Sequence, residues 1–320
     1  MRIRVLAVLV MGVITCGSGI EVNADTPPPT QRARHVIVGP PYVSSHRARG
    51  HKLGPTPQVR GATTAPLNLR SASVFVLDQP QGKVLLSHNA TSVTPIASIT
   101  KLMTAMVTLD GKFELEQPIT IAPEDADKLK GTHSRLTSGT TLTRQELLRL
   151  ALMSSENRAA AALARTYPGG RQAFVKAMNL KAQSLGMQRS HFVDPAGLSR
   201  LNVSTAEELA KMVVAASAYP LIREFTTTAS HTVSLRAHGS DLEFKNSNRL
   251  IQSPDGEWNI QLSKTGYTAE AGRCLVLQAR IAKRPVIIVL LDAWGKLTPV
   301  GDANRIRRWM EAQAPGRRVG

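Results

Sequence analysis

The pattern of apolar and polar positions becomes regular from about residue 71. Residues 71–77 contain the run Val74-Phe-Val-Leu77, which favours a strand. Gln79-Pro-Gln-Gly82 has the composition of a turn, and residues 83–87 are expected to return as the partner strand. The folded part of the chain is therefore predicted to begin with a β-hairpin.

A helical period replaces the strand pattern in the middle of the chain. From Ser98 onward, apolar residues recur on one face of a predicted helix. Thr143-Arg-Gln-Glu146 is a capping box, which is typical of a helix start, and a leucine-rich run follows it. Three further helices are predicted, over 157–165, 171–185 and 205–218.

Strands dominate again toward the end of the sequence. They are predicted over 260–267, 273–282 and 285–292, and a final helix is predicted over 302–312. The first and last strands can join one sheet, and the helices can cover both of its faces. We therefore predict an α+β fold, an antiparallel sheet flanked by helices plus a helical subdomain, rather than a βαβ repeat.

The start of the chain has the pattern of an export signal. Arg2 and Arg4 precede an apolar run over 5–14, and Val22-Asn-Ala24 places small residues at positions −3 and −1 of a cleavage site. We expect residues 1–24 to be a signal peptide cut after Ala24, and hence a periplasmic location. The apolar run is short for a bilayer span, and an uncleaved anchor is the competing interpretation.

The two cysteines fit export without disulfide bonds. Lipidation of Cys16 is disfavoured because Thr15 is a poor residue before a lipidated cysteine. Cys16 would leave with the signal peptide, so Cys274 would be alone in the mature chain and unable to form an intramolecular disulfide. We expect Cys274 to be a small buried hydrophobic residue with no catalytic role.

Composition divides the rest of the chain into a linker, one domain and a tail. Residues 25–68 are rich in Pro, Arg, His and Gly and have few large apolar side chains. Such a segment cannot bury enough surface to offset its ordering entropy, so we expect a disordered basic linker. The folded domain is predicted over 69–314, followed by a short tail over 315–320.

The formal net charge of +17 bears on the choice of partner. A strongly basic protein can bind nucleic acid, but export and the lack of a groove-reading motif argue against nucleic acid here. Peptides of the cell wall that bear carboxylates, or anionic lipid head groups, are better partners. We expect at most a peripheral association with the membrane or wall; a solvated basic surface with no single target is the plainer alternative.

Ser98-Ile-Thr-Lys101 is the first of three short strings that carry chemistry. Residues three apart at a helix start lie on one face, so the two polar side chains can touch. A serine hydroxyl becomes a good nucleophile only when a base takes its proton, and Lys101 can be that base if burial or a nearby cation lowers its pKa. The alternative is a serine helix cap followed by an exposed lysine.

Ser155-Glu-Asn157 lies in the predicted break between two helices, where side chains can project into a cleft. Ser155 can pass a proton, and the Asn157 amide can hold a substrate amide through its donors and its acceptor. A helix-capping turn would account for the same residues without any catalytic role.

Lys264-Thr-Gly266 is the rarest of the three strings and lies at a predicted strand end. Gly266 would let a substrate backbone approach closely. The backbone N–H of Tyr267 is then placed to donate into an oxyanion hole, with the N–H of Ser98 as the second donor. Lys264 would add positive charge that keeps Lys101 neutral and attracts a carboxylate.

In this order the strings resemble the active site of the low-molecular-mass penicillin-binding proteins, the serine D-Ala-D-Ala peptidases. The resemblance covers about residues 68–312 and implies a β-lactamase/transpeptidase-like fold. It extends to the context of the motifs and to two further segments: Pro95-Ile-Ala-Ser-Ile-Thr-Lys-Leu-Met-Thr104, Leu152-Met-Ser-Ser-Glu-Asn-Arg-Ala159, Phe192-Val-Asp-Pro-Ala-Gly-Leu198, Ser204-Thr-Ala-Glu-Glu-Leu209 and Lys264-Thr-Gly-Tyr-Thr268.

The resemblance also implies a role for each matched residue. Ser98 would be the acylated nucleophile and Lys101 its base. Ser155 would relay a proton, with Lys264, to the departing amine. The expected substrate-binding residues are Asn157, Lys264, Thr265, Gly266 and Tyr267. The expected substrates are peptidoglycan stem peptides, with β-lactams as covalent inhibitors and with no cofactor.

Within that family the sequence is most similar to D-alanyl-D-alanine endopeptidases of the penicillin-binding protein 7 type. The segment Met153-Ser-Ser-Glu-Asn-Arg-Ala159 favours this similarity to the endopeptidases. The sequence also stops about fifty residues after Gly266, which leaves no room for the extra β domain of the familiar carboxypeptidases. In those carboxypeptidases an arginine before the last helix receives the terminal carboxylate. The corresponding stretch here, Asp292-Ala-Trp-Gly-Lys296, has no arginine, and Lys296 is the candidate substitute. Carboxypeptidase activity stays open as the alternative.

Three other classes of function fit the sequence less well. A β-lactamase would need a general base for deacylation, often a glutamate after the second motif, and residues 158–205 contain no glutamate. A non-catalytic penicillin sensor would not need the complete motif set. A metal enzyme is disfavoured because the histidines are scattered, with no His-Glu-x-x-His or paired-cysteine spacing.

Overall fold

The structure is a computed structural model that describes residues 67–235, 240–252 and 258–313. These residues all belong to one compact unit. The predicted signal peptide, the predicted tail and nearly all of the predicted linker lie outside them, and those three interpretations stay predictions. Among the described residues, no helix has the length and apolar character needed to cross a bilayer.

The described residues form short and long strands between helices. The strands are β1 (Ser71–Asp78), β2 (Lys83–His88), β3 (Thr94–Pro95), β4 (Pro118–Thr120), β5 (Thr141–Thr143), β6 (Val203–Ser204), β7 (Ser230–Leu235), β8 (Ser240–Lys245), β9 (Asn259–Thr268), β10 (Gly272–Ile281) and β11 (Arg284–Ala293). The α-helices are α1 (Thr100–Asp110), α2 (Arg144–Met153), α3 (Asn157–Arg165), α4 (Gly170–Ser184), α5 (Ala206–Ala216), α6 (Pro220–Thr227), α7 (Arg249–Gln252) and α8 (Thr298–Ala312).

A five-stranded antiparallel sheet joins the first strands to the last ones. Its order is β2-β1-β11-β10-β9, so β9 is an edge strand. Phe75 of β1 pairs with Val289 of β11, and Val289 pairs on its other side with Val276 of β10. The prediction that the two ends of the domain share one sheet is confirmed, and with it the α+β class.

Both faces of this sheet are buried. Val74 and Val76 point to the face that α8 covers, where Ile306 and Met310 complete a small core. Phe75 belongs to the larger core on the other face, which the remaining helices supply. Because side chains alternate across a strand, burial on both faces requires apolar residues at nearly every position, as the central part of β11 shows.

The predicted helices are present, with shifts at their ends. Thr143 caps α2 as predicted, since its hydroxyl accepts from the Glu146 N–H at 3.1 Å and the Glu146 carboxylate accepts from the Thr143 N–H at 2.8 Å. The helix predicted from Ser98 begins at Thr100, and Ser98 lies in a preceding 3₁₀ turn. The last helix begins at Thr298, earlier than predicted, with a proline in its first turn.

Several short elements were not predicted from the sequence. They are the helices α6 and α7, the two-stranded pairs β3–β6 and β4–β5, and the hairpin β7–β8. Each is too short to show a clear period, and the strands of β3–β6 and β4–β5 lie far apart in the chain.

Candidate active site

Ser98 lies in a sharp turn between β3 and α1. Ala97, just before it, has a left-handed backbone with φ of 46°, which is unusual for a residue other than glycine. The turn packs closely against Gly197. Only glycine fits there, because a Cβ on this residue would lie 2.0 Å from the Ala97 carbonyl oxygen. This close packing presents the Ser98 side chain, half-buried, at the N-terminal end of α1.

Lys101 is one helical turn further and has no exposed surface. Its Nζ lies 2.8 Å from the Ser98 Oγ. The same Nζ donates to the Asn157 Oδ1 and to the Ala196 carbonyl oxygen, each at 2.7 Å. The first two motifs therefore meet at a single amine.

The pKa of Lys101 is lowered to about 7. Burial is the main cause, because taking an ammonium group out of water disfavours its charged form. The carboxylates of Asp194, Glu156 and Asp127 act in the opposite direction and keep the pKa from falling further. A lysine poised in this range can accept a proton from a serine near neutral pH.

Lys264 of β9 is the second buried amine of the site, with 1% of its surface exposed. Its Nζ donates to the Thr265 carbonyl oxygen at 3.1 Å. Burial, and after it the charge of Lys101, holds the pKa of Lys264 well below its usual value. The two ammonium groups repel each other, so protonation of one of them favours the neutral form of the other.

Ser155 lies in the turn between α2 and α3, and Asn157 is the first residue of α3. Ser155 has a left-handed backbone with φ of 65°, a strained conformation that turns this residue into the cleft. The Asn157 amide is engaged at both ends, since its Oδ1 accepts from Lys101 and its Nδ2 donates to the Thr132 Oγ1 at 2.9 Å. Asn157 thus joins the predicted base to Thr132.

The third motif packs directly against the turn that carries Ser98. A Cβ on Gly266 would lie 2.9 Å from the Ile96 carbonyl oxygen and 3.1 Å from the Ser98 backbone nitrogen. Only glycine lets β9 come this close. Thr265 donates its hydroxyl to the Ser247 Oγ at 2.7 Å, and Tyr267 is 57% exposed.

A cleft of about 310 Å³ connects the three motifs. Ser98, Ser155 and residues 265–267 line it. Its other walls include three cationic side chains, Arg249, Arg273 and Lys296. Lys296, which the sequence offered as a substitute for a carboxylate-binding arginine, therefore faces the same cleft as Ser98.

Cys274 also lines this cleft but is chemically inert. Its surface is 2% exposed, and burial raises the pKa of its thiol to about 12. A thiol that stays protonated is a poor nucleophile and a poor metal ligand. The described residues bring no group of three His, Cys, Asp or Glu side chains into a metal-binding arrangement.

Asp194 supports the site in a way that the motifs did not predict. Its carboxylate accepts from the backbone N–H groups of Ala196, Gly197 and Leu198, at 2.8, 2.6 and 3.2 Å, and from Ser199 at 2.8 Å. This turn directs the Ala196 carbonyl at Lys101. The Asp-Pro-Ala-Gly composition of the turn was the one local signal for it.

Comparison with known proteins gives a consistent result. The family model described as D-alanyl-D-alanine carboxypeptidase matches residues 60–295. The chain is 52% identical over 243 residues to the D-alanyl-D-alanine endopeptidase of Pseudomonas aeruginosa, covering 76% of this chain and 78% of that protein. It is 46% identical over 251 residues to the enzyme of the same name from Escherichia coli, covering 78% and 80%.

Solved structures extend the likeness to the fold. The crystal structure of a Streptomyces DD-transpeptidase matches with a TM-score of 0.70 and 27% identity, over 76% of this chain and 98% of that one. A D-alanyl-D-alanine carboxypeptidase from Mycobacterium tuberculosis matches with the same TM-score and identity, over 82% and 98%. The architecture described above is thus that of a penicillin-binding, β-lactamase-like domain.

Proposed function

Because the chain belongs to the D-alanyl-D-alanine carboxypeptidase family of serine peptidases, we propose that it is a D-alanyl-D-alanine endopeptidase that hydrolyses the peptide cross-links of peptidoglycan. The observation that carries this proposal is the contact of a buried, low-pKa lysine with Ser98 in a chain about half identical to two proteins of that name. The expected signal peptide supports a periplasmic location, where the substrate is.

Acylation begins at the pair formed by Ser98 and Lys101. Neutral Lys101 takes the Ser98 proton across 2.8 Å, and the Ser98 oxygen attacks the carbonyl carbon of the D-alanine at the cross-link. The carbonyl oxygen becomes an oxyanion, which the backbone N–H groups of Ser98 and Tyr267 are proposed to stabilise. The bond to the departing amine then breaks and leaves an ester on Ser98.

The departing amine needs a proton to leave. Ser155 and Lys264 are proposed to pass it from Lys101, since Ser155 lines the cleft together with Ser98 and the charge of Lys101 acts on the buried Lys264. Asn157 and Thr265 are proposed to bind the substrate backbone. Water then attacks the ester carbon, the Ser98 oxygen regains its proton, and the shortened stem peptide leaves with a new carboxylate.

The cationic cleft wall supports a peptide substrate rich in carboxylates. Arg249, Arg273 and Lys296 line the cleft beside Tyr267, and the Arg273 guanidinium lies 4.2 Å from the Tyr267 ring centroid. Lys296 also supports a second candidate function, D-Ala-D-Ala carboxypeptidase activity, in which one cation receives the carboxylate of the terminal D-alanine.

The non-catalytic alternative, a penicillin sensor, does not account for the two buried lysines. Burying an amine without a carboxylate partner costs stability and forces the amine toward its neutral form. A protein that only binds has no need of a base in that state. The buried pair is thus better explained by acyl transfer.

Mass analysis of purified peptidoglycan fragments separates the two activities. We expect the protein to convert cross-linked dimers to monomers, and Ser98→Ala to abolish that conversion. Ser87→Ala is the matched control, because Ser87 is exposed on β2 and begins another Ser-x-Asn string. Loss of one alanine from pentapeptides, with dimers left intact, would replace the endopeptidase proposal by the carboxypeptidase one.

A further inference from the structure

Asp127 organises a loop beside the second motif. Its Oδ1 accepts from the backbone N–H groups of Leu129 and Lys130, at 2.8 and 3.0 Å. Its Oδ2 accepts from Thr132 twice, from the backbone N–H at 3.0 Å and from the hydroxyl at 2.7 Å. We refer to residues 127–132 as the Asp127 loop. No sequence motif pointed to it.

The Asp127 loop connects to Lys101 through one unbroken chain of hydrogen bonds. The Thr132 hydroxyl has a single proton, which it donates to Asp127, so toward Asn157 it can only accept. It accepts from the Asn157 Nδ2 at 2.9 Å. The opposite end of that amide, the Oδ1, is thereby turned toward the Lys101 Nζ, 2.7 Å away.

The orientation of this amide decides where the lone pair of Lys101 points. A neutral lysine amine has two N–H groups and one lone pair. The Asn157 Oδ1 and the Ala196 carbonyl oxygen are two acceptors at 2.7 Å that can take the two N–H groups. The lone pair is then left for the remaining neighbour, the Ser98 hydroxyl at 2.8 Å. A flipped Asn157 amide would present donors to Lys101 and remove this arrangement.

We propose that Asp127 and Thr132 are positioning residues of the acylation step, which lock the Asn157 amide so that neutral Lys101 directs its lone pair at Ser98. The inference rests on the proposed function, because it assigns the two residues to the acylation of Ser98. Neither residue touches the reacting atoms.

A second contact joins the Asp127 loop to the sheet. Lys130 forms an ion pair with Glu270, which lies in the turn between β9 and β10. Both side chains are about one-third exposed, so the pair contributes little to stability. The ion pair connects the Asp127 loop to the turn between β9 and β10, whereas the Thr132 hydroxyl connects the loop to α3.

Asp127 keeps its charge in the working range of the enzyme. Burial acts to raise its pKa, but the hydrogen bonds from Lys130, Thr132 and Leu129 outweigh burial and hold the pKa below its usual value. The charged groups that face Lys101 are then Asp127 from this loop, Asp194 and Glu156 from two other segments, and Lys264 from β9.

The test is the rate of Ser98 acylation by labelled penicillin, measured across pH in the full-length protein. Thr132→Val removes the hydroxyl and keeps the shape and charge, and we expect it to lower the plateau rate by about tenfold or more. Thr132→Ser should restore the rate. Asp127→Asn should also lower the plateau of the acylation rate. Because the negative charge of Asp127 raises the pKa of Lys101, its loss should move the rise of the rate with pH to lower pH.

Two matched controls separate positioning from general damage. Thr141→Val removes an exposed hydroxyl that pairs with the Thr120 hydroxyl, at 2.8 Å. Asp110→Asn removes a carboxylate at the far end of α1, where it pairs with Lys181. Both controls should acylate at the wild-type rate with the wild-type pH profile.

A Thr132→Val protein that acylates at the wild-type plateau with the wild-type pH midpoint would overturn the positioning role, even if its melting temperature falls. An Asp127→Asn protein with an unchanged rate and profile would do the same. Absence of Ser98-dependent labelling in the wild-type protein is a separate result, and it would overturn the proposed function instead.

Discussion

Lys101 shows how far a buried environment can change the pKa of one residue. A lysine in water is charged at neutral pH, but the burial of this side chain lowers its pKa to about 7. Asp194, Glu156 and Asp127 oppose the effect of burial. The balance leaves a substantial fraction of the amine neutral at physiological pH, and that fraction is the one that can act as a base.

At the scale of this residue we predict the pH dependence of acylation. The rate of penicillin acylation should rise with pH and reach half its plateau near pH 7, because the protonated Lys101 that predominates below this pKa cannot take the Ser98 proton. Lys101→Arg should lower the rate at least about 100-fold at every pH, since arginine stays charged.

Lys176→Arg is the matched control for this change, because Lys176 is exposed on α4. It should leave both the rate and its pH midpoint unchanged. The measurement is the acylation rate constant from a time course of labelling at each pH. A rate that stays flat between pH 5.5 and 8.5 (an interval about 1.5 units on either side of the pKa) would contradict the assignment of Lys101 as the base.

At the scale of elements, one buried carboxylate joins the first strand to the last helix. Asp302 of α8 has no exposed surface. Its oxygens accept from the backbone N–H groups of Arg70 and Ser71, at 3.0 and 2.8 Å, and from the Ser71 hydroxyl at 2.8 Å. The Arg305 guanidinium pairs with it at 2.7 Å. The start of β1 is thereby fixed against α8.

We predict that Asp302→Ala lowers the free energy of unfolding by about 2–4 kcal/mol. The substitution leaves the part-buried N–H of Arg70 and the buried N–H and hydroxyl of Ser71 without their acceptor, and Arg305 without its partner. Urea denaturation followed by circular dichroism measures the effect. Glu116→Ala, at an exposed loop position, should change the unfolding free energy by no more than about 0.5 kcal/mol. Equal effects of the two variants would contradict this role for Asp302.

The length of a helix or strand also determines whether it could be predicted from the sequence. The helix α3, predicted over 157–165 from its alanine-rich composition, has the same bounds in the structure. The hairpin β7–β8 and the pair β4–β5 were missed because three to six residues do not establish a period. Their strands are defined by pairing partners, which a linear pattern does not contain.

At the scale of the whole molecule, three acidic residues from separate segments surround the site. Each already accepts hydrogen bonds from backbone N–H groups: Asp127 in its loop, Glu156 at the start of α3, where it caps Arg158 at 3.4 Å, and Asp194 in its turn. A carboxylate whose oxygens accept such bonds has fewer lone pairs free to hold a water molecule. None of the three is well placed to direct water against an ester on Ser98.

We therefore predict that penicillin acylates Ser98 and stays bound. The label should persist during a chase with unlabelled penicillin, and mass spectrometry should find the intact drug on the peptide that contains Ser98. Ser98→Ala should take up no label, whereas Ser87→Ala should label normally. Rapid multiple turnover of penicillin by the purified protein would contradict this prediction and favour β-lactamase activity.

The sequence by itself determined the local features of this protein. The strand and helix periods, the Thr143 cap and the three motif strings all depend on neighbours within a few residues, and short-range geometry decides them. The site residues Ser98, Lys101, Ser155, Asn157 and Lys264 could be chosen for the same reason, because each belongs to a string whose order and setting are readable in the linear chain.

Only the tertiary structure decided the state and the surroundings of those residues. The pKa of Lys101 depends on burial beneath α3 and β9 and on carboxylates up to about ninety residues away in the chain. The Ala196 carbonyl, the Asp127 loop and the placement of Lys296 in the cleft likewise come from distant segments. Desolvation and Coulomb interactions act through space, so no local pattern of residues contains them.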